Sequence, residues 1–194
     1  VPRESVSNAT IMAFGENILI YGSDGASCIN RRGDVLWNQT FEIQNPVLAI
    51  CQNVMAIGNY NGMIIYLMDT GKAIGAIDTK MPIRNFAVSA NGVVAAVLDD
   101  TADITWIYLF DSSGNTLAYF KTTMKDSGYP VSITISDNGC LVGVSYLYMD
   151  NGMMRSSVAF YNFGPVGQNE IDNFVSSYDY MDTVVPLIKF LGNE

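Results

Sequence analysis

The chain has 194 residues, 49% of them hydrophobic and only 15% charged, which excludes disorder and supplies one domain with a sizeable core. Its net charge is −9 and its longest basic run is Arg31-Arg32, which leaves no footprint for a phosphate backbone and argues against a nucleic-acid partner. It contains no histidine, so Ser-His-Asp and Cys-His nucleophile systems and histidine-ligated zinc are excluded as well.

One unit recurs along the chain. The first copy, about 10–41, has a strand at Ile18-Leu19-Ile20, a polar strand end at Asn30 before Gly33, and a closing strand Trp37-Asn38-Gln39-Thr40. The second, about 46–79, opens on Pro46-Val47-Leu48-Ala49-Ile50, continues with Val54-Met55-Ala56-Ile57, turns at Asp69 and Gly71, and closes on Thr79. The third, about 82–123, opens on Pro82-Ile83-Arg84-Asn85-Phe86, continues with Val93-Val94-Ala95-Ala96-Val97, and turns at Asp111 and Gly114. The fourth, about 130–185, opens on Pro130-Val131-Ser132-Ile133, continues with Leu141-Val142-Gly143-Val144, and turns at Asn162 and Gly164. Pro186 to Phe190 repeats the opening once more as an orphan first strand. Where the fourth unit needs its last strand, Ile171, Phe174, Val175 and Tyr178 fall at i, i+3, i+4 and i+7, which predicts a short helix near 168–178.

Glycine supplies the positive φ of each turn and Asp or Asn bonds its own turn backbone, so the recurrence has a mechanical cause. Four short strands per unit of about 40 residues are the signature of a β-propeller blade. The expected fold is therefore all-β: a single propeller-like domain over 1–194, with about four blades of four antiparallel strands, forming a partial propeller.

Few residues offer chemistry. Cys28, Cys51 and Cys140 each sit in an apolar run and read as buried, reduced thiols. Asp99-Asp100 with Asp103 reads as a solvated turn, and Asp137-Asn138-Gly139 and Asp150-Asn151-Gly152 as turns without the ligand spacing of a calcium loop. No catalytic residue, metal site or cofactor is expected. The methionines read as fillers. Tyr146, Tyr148, Tyr178 and Tyr180 flank the inserted segment and are the candidate binding residues, because aromatic clusters at a blade edge engage sugars, peptides or proteins. The competing reading of these tyrosines is packing between blades.

Ser132-Ile133-Thr134-Ile135-Ser136-Asp137-Asn138-Gly139 resembles the first strand and turn of a WD40 blade, without that family's Gly-His and Trp-Asp dipeptides. Asp69-Thr70-Gly71-Lys72 and Gly33-Asp34-Val35-Leu36-Trp37 resemble quinoprotein-type (PQQ-like) repeats, with Trp37 in the position that packs across neighbouring blades. Ser145-Tyr146-Leu147-Tyr148, Val158-Ala159-Phe160-Tyr161-Asn162-Phe163-Gly164, Val166-Gly167-Gln168-Asn169 and Thr183-Val184-Val185-Pro186 resemble an uncharacterised family of Firmicutes propeller proteins. Members of that family are held outside the membrane by one N-terminal transmembrane helix. The resemblance implies an extracytoplasmic location at the cell surface, an anchor absent from this chain, and correspondence to the N-terminal half of a longer propeller.

The function expected on these grounds is a non-catalytic binding or scaffold propeller presenting blade loops to a protein or glycan. The alternative is a quinoprotein-like or other propeller enzyme with its site at the central channel. Terminal blades with uncovered apolar faces and stray strand edges also predict self-association. Light scattering across a concentration series should show a dimer; a strictly monomeric particle with a cooperative melt would indicate a closed ring instead.

Overall fold

The computed structural model describes residues 9–101, 103–165 and 173–193. They form four antiparallel sheets of four strands, each in simple sequential order. Blade 1 is β1 (Thr10–Phe14), β2 (Asn17–Gly22), β3 (Gly25–Ile29) and β4 (Val35–Thr40). Blade 2 is β5 (Pro46–Cys51), β6 (Val54–Asn59), β7 (Ile64–Asp69) and β8 (Ala73–Asp78). Blade 3 is β9 (Ile83–Val88), β10 (Val94–Thr101), β11 (Ile104–Phe110) and β12 (Thr116–Thr123). Blade 4 is β13 (Tyr129–Ile135), β14 (Leu141–Asp150), β15 (Met153–Asn162) and β16 (Phe174–Tyr180). The first strands β5, β9 and β13 lie side by side, and the fourth strand of every blade is an outer edge.

The repeated turns are built as the sequence pattern requires. The Asx oxygen at the end of each third strand takes the backbone amides of the turn that follows. Asn30 Oδ1 accepts from Arg32 N and Asp34 N, Asp69 Oδ1 from Gly71 N and Lys72 N, Asp111 Oδ1 from Ser113 N and Asn115 N, and Asn162 Oδ1 from Gly164 N, all at 2.7–3.0 Å. Blades 3 and 4 share a second device: Ser89 Oγ accepts from Val93 N and Ser136 Oγ from Leu141 N, both at 2.9 Å.

The core lies between blades. One apolar layer joins blades 1 and 2 through Leu19, Trp37, Met55, Ile57 and Met68. A second joins blades 2 and 3 through Ile65, Leu67, Phe86, Ala96 and Leu98. A third joins blades 3 and 4 through Val97, Ile107, Val142, Val144 and Tyr146. Trp37 is 8% exposed, and its Nε1 donates across the blade boundary to the Asp69 carbonyl at 2.8 Å. Cys28 is buried, while Cys51 and Cys140 are half-buried; all three are free thiols.

Two expectations change. Phe174, Val175 and Tyr178 stand in β16, not in a helix; residues 168–172 of the expected helix lie outside the described residues. The fourth position of blade 4 is an open edge of β15, and pairing there satisfies backbone groups that a helix would leave unbonded. Residues 186–190 do not pair as a strand. They cross the outer face of blade 4, where hydroxyl groups take their backbone. Val185 N donates to Ser156 Oγ (3.1 Å), Ile188 N to Ser132 Oγ (3.2 Å) and Phe190 N to Thr134 Oγ1 (3.1 Å), while Ser145 Oγ donates to the Val185 carbonyl (2.6 Å).

Trp37→Ala should cost about 3–5 kcal/mol, because it leaves a cavity between blades 1 and 2. Chemical denaturation measures this, and a loss below about 1 kcal/mol would contradict the inter-blade role.

Candidate functional site

β14 and β15 are the longest strands among the described residues, at ten residues each. Their hairpin turns through Asn151 and Gly152, both at positive φ (49° and 80°), as an Asn-Gly hairpin requires. Tyr146 stands opposite Ser157, and Ser157 opposite Asp179. The face of blade 4 toward blade 3 therefore carries Tyr146, Tyr148, Ser177 and Asp179, and the opposite face carries Tyr178 and Tyr180. The four candidate tyrosines are split into two pairs on opposite sides of the sheet.

Tyr146 and Tyr148 line a groove of about 940 Å³ between blades 3 and 4, bounded on the other side by Phe120, Met124 and Lys125. Tyr146 belongs to its floor: it is 1% exposed, and its hydroxyl shares a 3.1 Å hydrogen bond with the Tyr161 hydroxyl. Burial, and then the neighbouring Tyr161, push its pKa far up, so it stays neutral. Phe120 packs on Tyr161 at 4.4 Å and Phe174 meets Tyr161 edge-on at 6.0 Å, which gives the floor an aromatic centre. Tyr148 is half-buried and donates to Asp179 Oδ1 at 3.4 Å. The rim is exposed and apolar at Met124, Met149 and Phe174. The groove continues over the edge of β12 to Trp106, Tyr119 and Lys121, residues whose strand positions face blade 2.

Gly128 fixes one end of the groove. Its φ is +86°, and a Cβ there would stand 2.6 Å from the Leu147 carbonyl oxygen and 2.8 Å from Tyr148 Cβ. Only glycine lets the connection between blades press against β14 beside Tyr148.

Tyr178 packs edge-on against Phe160 at 6.3 Å. Tyr180 borders a smaller recess of about 340 Å³, closed by Ile188 and Phe190 of the crossing segment.

Two polar clusters sit near the inner strands. Arg84, on β9, bonds Asp99, the Tyr60 hydroxyl and Asn61 Oδ1. Asp99 is thus the partner of a half-buried guanidinium and not a solvated turn residue. Burial works against the Arg84 charge, but the Asp99 hydrogen bond and charge outweigh it and raise the pKa. At the other cluster, Cys51 Sγ donates to Asp137 Oδ1 (3.2 Å) and Gln52 Nε2 to Asp137 Oδ2 (2.9 Å), which ties blade 2 to blade 4. These bonds hold the Asp137 carboxyl below the usual carboxylate range. Its depressed pKa means that the tie contributes above that range and is lost as pH falls through the folded value. Among the described residues, no three His, Cys, Asp or Glu side chains gather as a metal site, and no helix is long and apolar enough to cross a membrane.

The profile of a family described as "Family of unknown function (DUF5711)" matches residues 1–194. The chain belongs to that family. A comparison with curated proteins found no match. Among solved structures, Hsv2 from Kluyveromyces marxianus is similar with a TM-score of 0.64 and 15% identity, over 100% of this chain and 64% of that one. Sqt1 from Saccharomyces cerevisiae has a TM-score of 0.59 at 11% identity, over 96% of this chain and 54% of that one. BamB from Moraxella catarrhalis has a TM-score of 0.56 at 11% identity, over 87% of this chain and 47% of that one. The WD40 domain of Neurospora crassa Pan2 has a TM-score of 0.55 at 8% identity. This chain spans about half to two thirds of the length of these structures, and the likeness is one of propeller fold.

Burial, then the Asp137 hydrogen bond and charge, raise the Cys51 thiol to about 11. At pH 8 the native thiolate is then roughly a hundredfold scarcer than for a thiol at 9. Iodoacetamide should therefore alkylate Cys51 far more slowly in the folded protein than in urea; equal rates would show that the tie to Asp137 is not formed.

Proposed function

We propose that the chain is a non-catalytic, extracytoplasmic binding propeller whose groove between blades 3 and 4 seats a segment of a partner protein. One observation carries this reading. The groove has an aromatic floor held by Tyr146, Phe120 and Tyr161, an exposed apolar rim at Met124, Met149 and Phe174, and charged groups at its margin. An apolar centre with a polar border is the anatomy of a protein-recognition patch, and exposed methionine adapts to irregular partner surfaces. Blades 3 and 4 are both complete four-stranded sheets, so the groove does not depend on any further blade. The resemblance to membrane-held propellers supports the extracytoplasmic location. An enzyme of the quinoprotein kind would place its chemistry at the inner strands, where Arg84 with Asp99 and Cys51 with Asp137 already engage one another.

A photo-crosslinking residue placed at Met149 or Tyr119 should trap a discrete adduct in the producing cell. The same residue at exposed Leu36, on blade 1, should not. Adducts of equal yield from all three positions, or from Leu36 alone, would refute the groove as the docking site.

A further inference from the structure

The carboxylates of the groove are engaged and its ammonium groups are not. Thr123 Oγ1 donates to Asp126 Oδ2 at 2.6 Å, and the Tyr148 hydroxyl donates to Asp179 Oδ1. Lys121 and Lys125 both line the groove, both are exposed, and neither has an ion-pair or hydrogen-bond partner among the described residues. A third cation stands beside Tyr148. Arg155 lies opposite Tyr148 on the same face, pairs through Nη2 with Asp150 at 3.1 Å, and keeps a buried Nε with no hydrogen-bond partner among the described residues. Two of the ten basic residues of an acidic chain line this groove, and Arg155 stands opposite Tyr148 outside its lining. The net charge of −9 acts at long range and is screened beyond about 8 Å at physiological ionic strength, so contact charges decide what the groove accepts.

The shape narrows the occupant further. A volume of about 940 Å³ reaches the upper end of small-ligand cavities. The groove is flanked by β12 and β16, two outer strands whose free edges suit an extended chain. Resting on the reading of this groove as a protein-docking site, we propose that its occupant is an extended acidic segment of the partner. Carboxylates meet Lys121 and Lys125, and a neighbouring apolar side chain lies against Tyr148 and Met149.

The test is selection of a random eight-residue peptide library displayed on phage against the full chain. Selected peptides should be enriched in Asp or Glu next to aromatic or aliphatic residues. As synthetic fluorescent probes, they should bind the Lys121→Glu/Lys125→Glu variant at least tenfold more weakly, with its melting temperature unchanged. Lys121→Arg/Lys125→Arg should keep the binding. Peptides that lose binding in Tyr148→Ala but are not acidic, and are indifferent to the lysine reversal, would overturn the acidic occupant and leave the docking site standing. Peptides indifferent to Tyr148, Lys121 and Lys125 together, or an oligosaccharide that occupies the groove instead, would overturn both.

Discussion

Each four-stranded sheet of this chain has two faces to cover, and no sheet can cover its own. The apolar residues of β6, β7 and β10 point alternately to the neighbour before and the neighbour after, and those of β14 point to blade 3, so every layer of core belongs to two blades at once. Folding and assembly are then the same event, with stability residing in the contacts between units. Trp37 illustrates the point, since its ring belongs to blade 1 while its indole N–H is satisfied only by blade 2. The groove is where the third of these layers opens outward, and its floor is a continuation of the core.

The propeller was legible because its turns are chemically repeated. Asn30, Asp69, Asp111 and Asn162 each sit at the end of a third strand and bond the turn that follows, a local effect that needs no tertiary knowledge. The helix expected near 168–178 misled for an equally local reason. Phe174 and Tyr178 are four residues apart, a spacing compatible with one face of a helix, whereas in β16 the irregularity at Phe160 and Tyr161 sets them on opposite faces. The vacant edge of β15 decided between them, and that edge exists only once the first three strands have folded.

The candidate site was legible only in part. Tyr146 and Tyr148 were found, but Tyr178 and Tyr180 were grouped with them only because all four flank the inserted segment in sequence. Passing from β14 through β15 to β16, the register sets Tyr146 in line with Ser157 and Asp179, so the numbering parity on that face reverses. Lys121, Lys125 and Gly128 gave no isolated signal, because their importance comes from where they stand against blade 4. The Arg84–Asp99 pair and the Cys51–Asp137 tie were invisible for the same reason, the latter joining residues 86 positions apart.

The segment that crosses blade 4 is seated unlike any blade on its neighbour. Between blades, aliphatic and aromatic surface meets its like, and parting it exposes oil to water. Under residues 185–190, the seat is Ser132, Thr134, Ser145 and Ser156, hydroxyls that bond water as readily as they bond the backbone above them. Val185, Ile188 and Phe190 are the half-buried apolar anchors in that run, and Gly192 and Asn193 beyond it bond the turn at Asp137 and Asn138. The segment is therefore held to blade 4 by hydroxyl-to-backbone bonds together with a few apolar anchors, where one blade is held to the next by a continuous apolar layer. One flank of the molecule thus carries a seam of mixed chemistry, part hydroxyl and part aromatic, unlike the oily joints inside the stack.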